Sequence, residues 1–225
     1  MMPLRNRVDP WGDVHSVAER GLLTGNRGCL VDDDGSVVRH HRGSLWIACL
    51  TEFRGWQSPL ARPGHWTPIF FLDDAVALAA GHRPCGLCRR PAYESYRRAV
   101  ATGVGASNPL TAQDLNRRLA SERLDRGRGV DRGQDRRTWT SDIDDLPAGT
   151  VLVGPVRQPR LLLTDRLVGF AFSGWAKAFR RPVGVRVEVL TPPTSVVALA
   201  NGYEPLIHQS AYSTPCAEID PGFTA

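Results

Sequence analysis

The chain has 225 residues, 42% hydrophobic and 23% charged, which is enough apolar content to bury a core and excludes a chain disordered throughout. The formal net charge is +5, and arginine supplies nearly all of the positive charge, since Lys177 is the single lysine. Arginine binds phosphate bidentately, so this balance permits a nucleic-acid partner, although a GC-rich genome would produce the same arginine excess.

Two absences in the sequence bear on where the protein works. No stretch approaches the roughly 18 consecutive apolar residues of a membrane span, and residues 1–20 lack the apolar core of a signal peptide. We therefore expect a cytoplasmic protein with no membrane partner. In that compartment its five cysteines are expected to be metal ligands or free thiols rather than disulfides.

The first half of the chain, residues 1–124, is predicted to form a small α/β module with trailing helices. Asp73 has the position of an N-cap for the first helix, and Gly81 has the position that ends it. Hydrophobic periodicity predicts two strands and then three helices, at 45–50, 68–72, 74–80, 91–102 and 111–124.

The second half is predicted to be a β-rich module over residues 141–210. Before it, residues 125–140 alternate arginine, glycine and aspartate with almost nothing apolar, which is typical of a mobile loop or linker and, alternatively, of a nucleic-acid-contacting segment. Residues 211–225 are expected to be a flexible tail. Four strands and a final helix are predicted, at 150–153, 160–164, 167–172, 185–190 and 192–202. The predicted fold class is α+β, with a small zinc-stabilised α/β module followed by a β-rich module.

The most informative motif is Cys85-Gly86-Leu87-Cys88, directly after the first predicted helix. Two thiolates at this spacing can reach one tetrahedral zinc ion at about 2.3 Å each. A redox pair is the alternative, but the strand-before, helix-after setting of a thioredoxin-like motif is missing; two unconnected thiols are a further possibility. The spacing therefore favours half of a structural zinc site.

A closed zinc site needs four ligands, so two more must come from elsewhere in the chain. Cys29 and Cys49 are the natural remaining pair, which gives a predicted set of Cys29, Cys49, Cys85 and Cys88 with Zn²⁺ as the cofactor. Cys49 lies in an apolar strand and could instead be an ordinary buried thiol. Four histidines could each replace one cysteine: His40, His41, His65 and His82.

The stretch from Phe70 to Arg89 resembles the N-terminal metal-binding domain of the Ada family of bacterial alkylation-repair proteins. Both have an aromatic pair, a short alanine-rich helix and then a Gly-aromatic-Arg-Pro-Cys-x-x-Cys-Arg run, with His82 at the aromatic position here. The whole chain also resembles a group of bacterial proteins through residues 25–30, 70–88 and 190–193, which adds no functional inference.

The Ada resemblance implies a four-cysteine zinc site on a small α/β module that contacts the DNA backbone. In that family the zinc also activates one cysteine to accept a methyl group from a DNA phosphotriester. Cys85 and Cys88 match the family's ligand positions. The family's first two cysteines lie close together, whereas Cys29 and Cys49 do not, so the resemblance does not identify the methyl acceptor.

These observations lead to a zinc-stabilised nucleic-acid-binding protein as the leading hypothesis, with DNA favoured over RNA and a role in DNA damage recognition or repair. Arg83, Arg89 and Arg90 flank the cysteine pair and are the predicted phosphate-binding residues.

Two alternatives belong to other classes of protein. One is a zinc-containing enzyme with a cleft between the two modules, lined by His15, Asn26, Arg27 and His208. Its weakest variant is a catalytic Cys29 with His15 or His208 as the base. The other alternative is a non-catalytic protein-interaction module held together by zinc.

Overall fold

The computed structural model describes residues 4–55, 60, 62–213, 215–219 and 223. Helices and sheets both occur, with one sheet in each half of the chain, so the predicted α+β class is confirmed. Within the described ranges, no helix combines the length and the apolar content needed to cross a membrane.

The N-terminal sheet has six short strands. They are β1 (Arg7–Val8), β2 (Val14–His15), β3 (Leu23–Asn26), β4 (Ile47–Leu50), β5 (Ile69–Phe71) and β6 (Arg83–Pro84). Their order in space is β2-β1-β5-β3-β4-β6. The pairs β1–β5 and β4–β6 are parallel, and the other neighbours are antiparallel. The strands predicted at 45–50 and 68–72 correspond to β4 and β5.

Three helices follow the predicted pattern closely: α1 (Asp74–Ala79), α2 (Arg90–Gly103) and α3 (Ala112–Arg123). Asp73 caps α1, because its Oδ1 accepts a hydrogen bond from the Val76 amide at 3.1 Å. Thr111 caps α3 in the same way, accepting from the Asp114 amide at 3.1 Å. Helices α1 and α3 thus begin after a capping side-chain oxygen, and α2 begins with a proline in its first turn.

The C-terminal sheet has seven strands and two associated helices. These are β7 (Trp139–Asp142), β8 (Val151–Val153), β9 (Pro159–Leu162), β10 (Arg166–Ala171), β11 (Gly174–Arg180), β12 (Arg186–Val189), α4 (Pro193–Ala200), α5 (Ser210–Ser213) and β13 (Cys216–Ile219). The order is β13-β11-β10-β9-β8-β12-β7, antiparallel except for the β11–β13 pair. Cys216–Ile219, within the segment 211–225 predicted as a flexible tail, thus forms a strand of the sheet.

The segment 125–140, predicted as a mobile loop or linker, is built into the fold. Arg132 and Gly133 donate their backbone N–H groups to the Asp13 carboxylate at 2.6 and 2.9 Å. Arg136 is buried and donates to the Ala79 and Leu190 carbonyls, one from each half of the chain. Arg132 and Arg136 therefore act as internal hydrogen-bond donors rather than as solvated charges.

The two sheets share one hydrophobic core. A single cluster of buried side chains joins the N-terminal strands and α1 to the C-terminal sheet, for example through Phe71, Val76, Leu161 and Trp175. Trp175 is 2% exposed, and its indole N–H donates to Asp73 at 2.6 Å. One face of the N-terminal sheet is thus committed to the core, which leaves the other face for the site described next.

Candidate metal centre

Three cysteine sulfurs meet at the edge of the N-terminal sheet. Cys49 lies on β4, and Cys85 comes directly after β6, which runs parallel to β4 with Ala48 paired to Pro84. The Cys85 amide donates to the Ala48 carbonyl at 2.9 Å and so continues this pairing by one residue. The turn after β6 brings Cys88 back, and the three Sγ atoms lie within 4.8 Å of one another.

Two backbone amides point at these sulfurs. The Leu87 amide nitrogen lies 3.4 Å from the Cys85 sulfur, and the Leu50 amide nitrogen lies 3.4 Å from the Cys88 sulfur. The Arg89 amide donates to the Cys85 carbonyl at 3.2 Å and closes the turn. Hydrogen bonds from N–H groups stabilise the charged form of an acceptor, so these two amides favour thiolates at Cys85 and Cys88.

The three thiol groups interact with one another directly. A hydrogen bond from the Cys49 thiol to Cys85 is the main cause that lowers the pKa of Cys85 to about 5, and it raises the pKa of Cys49. Burial raises the pKa of Cys88. Without a cation, the group therefore favours a single thiolate, at Cys85, because each additional thiolate is opposed by its neighbours and by burial.

The group forms part of the wall of a cavity of about 280 Å³, which we call the thiolate cavity. Alternate residues of three neighbouring strands supply one side of it: Phe70 on β5, Thr24 and Asn26 on β3, and Ile47 and Cys49 on β4. Side chains alternate between the faces of a sheet, so the residues between these face the shared core.

The remaining lining is mainly apolar. It comprises Leu50, Thr51, Phe53, Leu60, Trp66, Pro68, Cys85, Leu87 and Cys88. The described lining contains no histidine, aspartate, glutamate, lysine or arginine, so the three cysteines are its only described ionisable side chains. The cavity therefore places a cluster of sulfur donors against apolar surface and provides no separate acid or base.

Cys29, predicted as the fourth ligand, is not a member of this group. It is buried, and its thiol lies 3.5 Å from the Val31 carbonyl oxygen. His40, His41 and His82 are also elsewhere, packed with their rings about 5 Å from that of Trp46. His65 is exposed and, like the others, lies outside the group. The candidate metal ligands that the structure brings together are thus three of the four predicted cysteines.

The predicted phosphate-binding arginines have two different environments. Arg83 is 4% exposed and donates a hydrogen bond to Asn116 at 2.9 Å. Arg89 is 8% exposed and donates two hydrogen bonds, of 2.7 and 2.6 Å, to the buried Asp74 carboxylate. A guanidinium whose donors are used inside the fold is not presented to a phosphate at the surface. Only Arg90 of the three has an exposed side chain.

The weak catalytic candidates are not assembled into one unit. His15 pairs with Asp9 at 2.8 Å, and that bond is the main cause that raises the pKa of His15. His208 contacts the Ser210 hydroxyl at 2.8 Å. In the part of the chain that is described, no histidine nitrogen hydrogen-bonds to the Cys29 thiol. Of the cleft residues predicted with them, Asn26 lines the thiolate cavity and Arg27 is fully buried.

The apolar half of the site was not predicted. The apolar lining of the thiolate cavity includes Phe70, Trp66 and Leu87. The sequence feature that could have predicted it is the period-2 alternation around Thr24 and Cys49, because every second residue of a strand lies on the same face of the sheet. Recognising it required knowing that β3, β4 and β5 are neighbours.

Comparisons with protein-family models, with curated proteins and with solved structures give no match for this chain.

Proposed function

We propose that the chain is a zinc protein in which Cys49, Cys85 and Cys88 hold the metal, and in which a cysteine thiolate of this centre accepts a small alkyl group from an apolar electrophile bound in the thiolate cavity. The observation that carries the proposal is the placement of three sulfurs in the wall of a mainly apolar cavity.

The donor set supports zinc. In a tetrahedral site with zinc–sulfur distances of about 2.3 Å, the sulfurs lie about 3.8 Å apart. The three Sγ atoms, within 4.8 Å of one another, reach that spacing by small side-chain rotations. Thiolate sulfur selects zinc and other thiophilic ions over magnesium or calcium. Bound zinc would keep the cysteines deprotonated at neutral pH.

Three protein ligands, rather than four, favour a reactive site over a purely structural one. Structural zinc sites are closed by four protein ligands, whereas catalytic sites keep one position for water or substrate. Among the described residues, no fourth cysteine, histidine or carboxylate joins the group. An open position would face the thiolate cavity, since all three cysteines line it.

The composition of the thiolate cavity favours thiolate chemistry over hydrolysis. Activation of water normally uses a base beside the metal, and the described lining contains no histidine or carboxylate. Among the described lining residues, the cysteine sulfurs are the only strong nucleophiles. In the proposed step the sulfur forms a bond to the alkyl carbon, and the leaving group departs with the electron pair of the broken bond.

Cys49 is the proposed acceptor among the three. The Cys85 and Cys88 sulfurs each receive a backbone N–H, whereas in the described ranges no backbone amide donates to the Cys49 sulfur. A hydrogen bond stabilises the thiolate and lowers its nucleophilicity, so the sulfur without one is the strongest nucleophile.

The test is alkylation of the zinc-loaded protein with methyl iodide, followed by peptide mass spectrometry. We expect methylation at Cys49 at least about tenfold faster than at exposed Cys216, which serves as the internal control. Iodoacetamide, which is bulkier and polar, should show a smaller preference for Cys49. Equal methylation rates at Cys49 and Cys216 would contradict the proposal, as would a Cys49 methylation rate that stays the same when zinc is removed.

Nucleic-acid binding, with DNA favoured over RNA and a role in damage recognition or repair, is a second proposal. The observation that favours it is a set of exposed arginines on the two helices after the metal site: Arg90, Arg98, Arg117 and Arg118. Arg90 lies two residues from Cys88, so a bound phosphate would sit close to the metal centre. The same cysteine could then receive the alkyl group from a DNA phosphotriester, as the Ada resemblance implies.

A further inference from the structure

Three arginines are buried together on the core side of the N-terminal half. Arg27, Arg123 and Arg136 are 0%, 3% and 6% exposed. The guanidinium carbons of Arg27 and Arg123 lie 5.2 and 3.9 Å from the centre of the Trp46 ring, and Arg123 and Arg136 both approach Gly81. We call these three residues the buried arginine cluster.

Arg27 leaves one edge of its guanidinium unused. Its Nη1 donates to the Gly12 carbonyl at 2.7 Å and lies 3.2 Å from His40 Nε2. Its Nε and Nη2 are buried and have no hydrogen-bond partner among the described residues. These two nitrogens form the side-on edge that binds two oxygens of a carboxylate or phosphate.

Arg136 is also only partly satisfied. Its Nη2 donates to the Ala79 and Leu190 carbonyls, whereas Nε and Nη1 are buried without a partner in the described ranges. Arg123 uses its two terminal nitrogens on the Gly81 and Ser44 carbonyls, at 3.0 and 2.8 Å. The cluster therefore offers four unused N–H-bearing nitrogens, all on buried cations.

The positive charge of the cluster has no direct counter-charge. Among the described residues, none of the three arginines has a carboxylate oxygen within 4.0 Å, and every acceptor named above is a neutral carbonyl or a histidine ring. The charges of Asp13 and Asp9 raise the pKa of Arg27, but neither acid lies within 4.0 Å of it, and Asp13 already accepts the amides of Arg132 and Gly133. Buried charges without a partner are strongly unfavourable, so an anion bound beside the cluster would stabilise the fold.

The histidines of this region cannot supply the counter-charge. Burial lowers the pKa of His40 and of His82, so both rings are neutral at pH 7. Burial also lowers the pKa of Arg27 and Arg123 to about 9, with a contribution from the charge of Arg136. All three guanidiniums remain charged at neutral pH.

We infer that the buried arginine cluster binds a small oxyanion of the phosphate class. Arg27 would bind two of its oxygens through Nε and Nη2, and Arg136 would supply further donors. A cavity of about 240 Å³ is lined in part by His41, Arg123, Asp125 and Arg132, and Arg123 is the member of the cluster that reaches it. This site is separate from the thiolate cavity and does not depend on the proposed zinc chemistry.

The experiment measures binding of inorganic phosphate to the full-length protein, prepared in phosphate-free buffer. Equilibrium dialysis gives the stoichiometry, and thermal unfolding is followed as phosphate replaces chloride at constant ionic strength. We expect one phosphate per chain and a saturating rise in Tm of roughly 5 °C at a hundredfold excess over Kd. Arg27→Lys and Arg136→Lys keep the charge but lose the planar fork, and each should weaken binding at least about tenfold.

Arg186→Gln, at an exposed position of β12, is the matched control and should bind like the unmodified chain. Absence of bound phosphate would overturn the inference, as would a Tm rise that does not saturate and is shared by all variants, because phosphate stabilises proteins non-specifically. Saturating binding that both Lys variants retain would place the anion elsewhere and also overturn it. If neither variant folds, the anomalous signal of tungstate in crystals of the unmodified chain decides: a peak beside Arg27 and Arg136 supports the site, and peaks only elsewhere contradict it.

Discussion

At the scale of single residues, the adjacent acids Asp73 and Asp74 at the start of α1 make different contacts. Asp73 caps the helix and accepts the Trp175 indole N–H, and burial raises its pKa to about 6. Asp74 binds Arg89 and also accepts from the Tyr203 hydroxyl at 3.1 Å. The cap was predictable because it is local. The Asp74–Arg89 pair was not, because a sequence does not say which buried acid an arginine meets, and Arg89 therefore looked like a phosphate ligand.

Replacing Asp74 with asparagine should lower the free energy of unfolding by about 3–5 kcal/mol, because it leaves the Arg89 charge buried without its partner. Urea unfolding of the two proteins measures the difference.

The matched control is Glu94→Gln on α2. Glu94 pairs with Arg90 and Arg97 at 3.9 and 3.3 Å at a partly exposed position, and such pairs contribute only about 0–1 kcal/mol. If Asp74→Asn cost no more than this control, Arg89 would be accessible to solvent or to another anion.

At the scale of elements, helices and strands with a regular hydrophobic period were predicted correctly, whereas a strand with an interrupted period was not. The helices α1, α2 and α3 were predicted within a residue or two of their ends, because each has a local start signal. Strand β11 was missed: Lys177 has a φ of 52°, and the pairing with β10 shifts register between Val168 and Gly169. Such a bulge breaks the alternation on which strand prediction depends.

The exposed arginines of α2 and α3 give the test of nucleic-acid binding. We expect a short DNA duplex to bind with an affinity that falls steeply with salt, and Arg90→Gln with Arg98→Gln to weaken binding and reduce the salt slope by about 1 per lost phosphate contact. Fluorescence anisotropy measures both quantities. Arg166→Gln, on β10 in the other half, is the control and should leave the slope unchanged. Binding that is absent at low salt, or insensitive to salt, would exclude this second proposal.

At the scale of the whole molecule, the largest hydrophobic cluster contains buried side chains from both sheets. Segment 125–140 looked mobile because it has almost no apolar residues, and composition is a good guide to disorder when charges are solvated. Here Arg132 and Arg136 are buried, and their hydrogen bonds reach Asp125, Asp135 and the Ala79 carbonyl. Pairing of this kind depends on the three-dimensional arrangement, which composition does not contain.

A shared core predicts that both halves unfold together. Native-state hydrogen exchange should give the same free energy of opening, within about 1 kcal/mol, for the slowest amides of β3 and of β9. Asp13→Asn, which weakens the attachment of Arg132 and Gly133, should lower both values equally. A large drop confined to one sheet would indicate two separate folding units.

Elemental analysis of the purified protein and of five single cysteine-to-serine variants tests the proposed three-cysteine zinc centre. We expect one zinc per chain, lost in Cys49→Ser, Cys85→Ser and Cys88→Ser and kept in Cys29→Ser and Cys216→Ser, whose sulfurs lie outside the group. Absence of metal in the unmodified protein, or loss of zinc from Cys29→Ser with retention in Cys49→Ser, would contradict it.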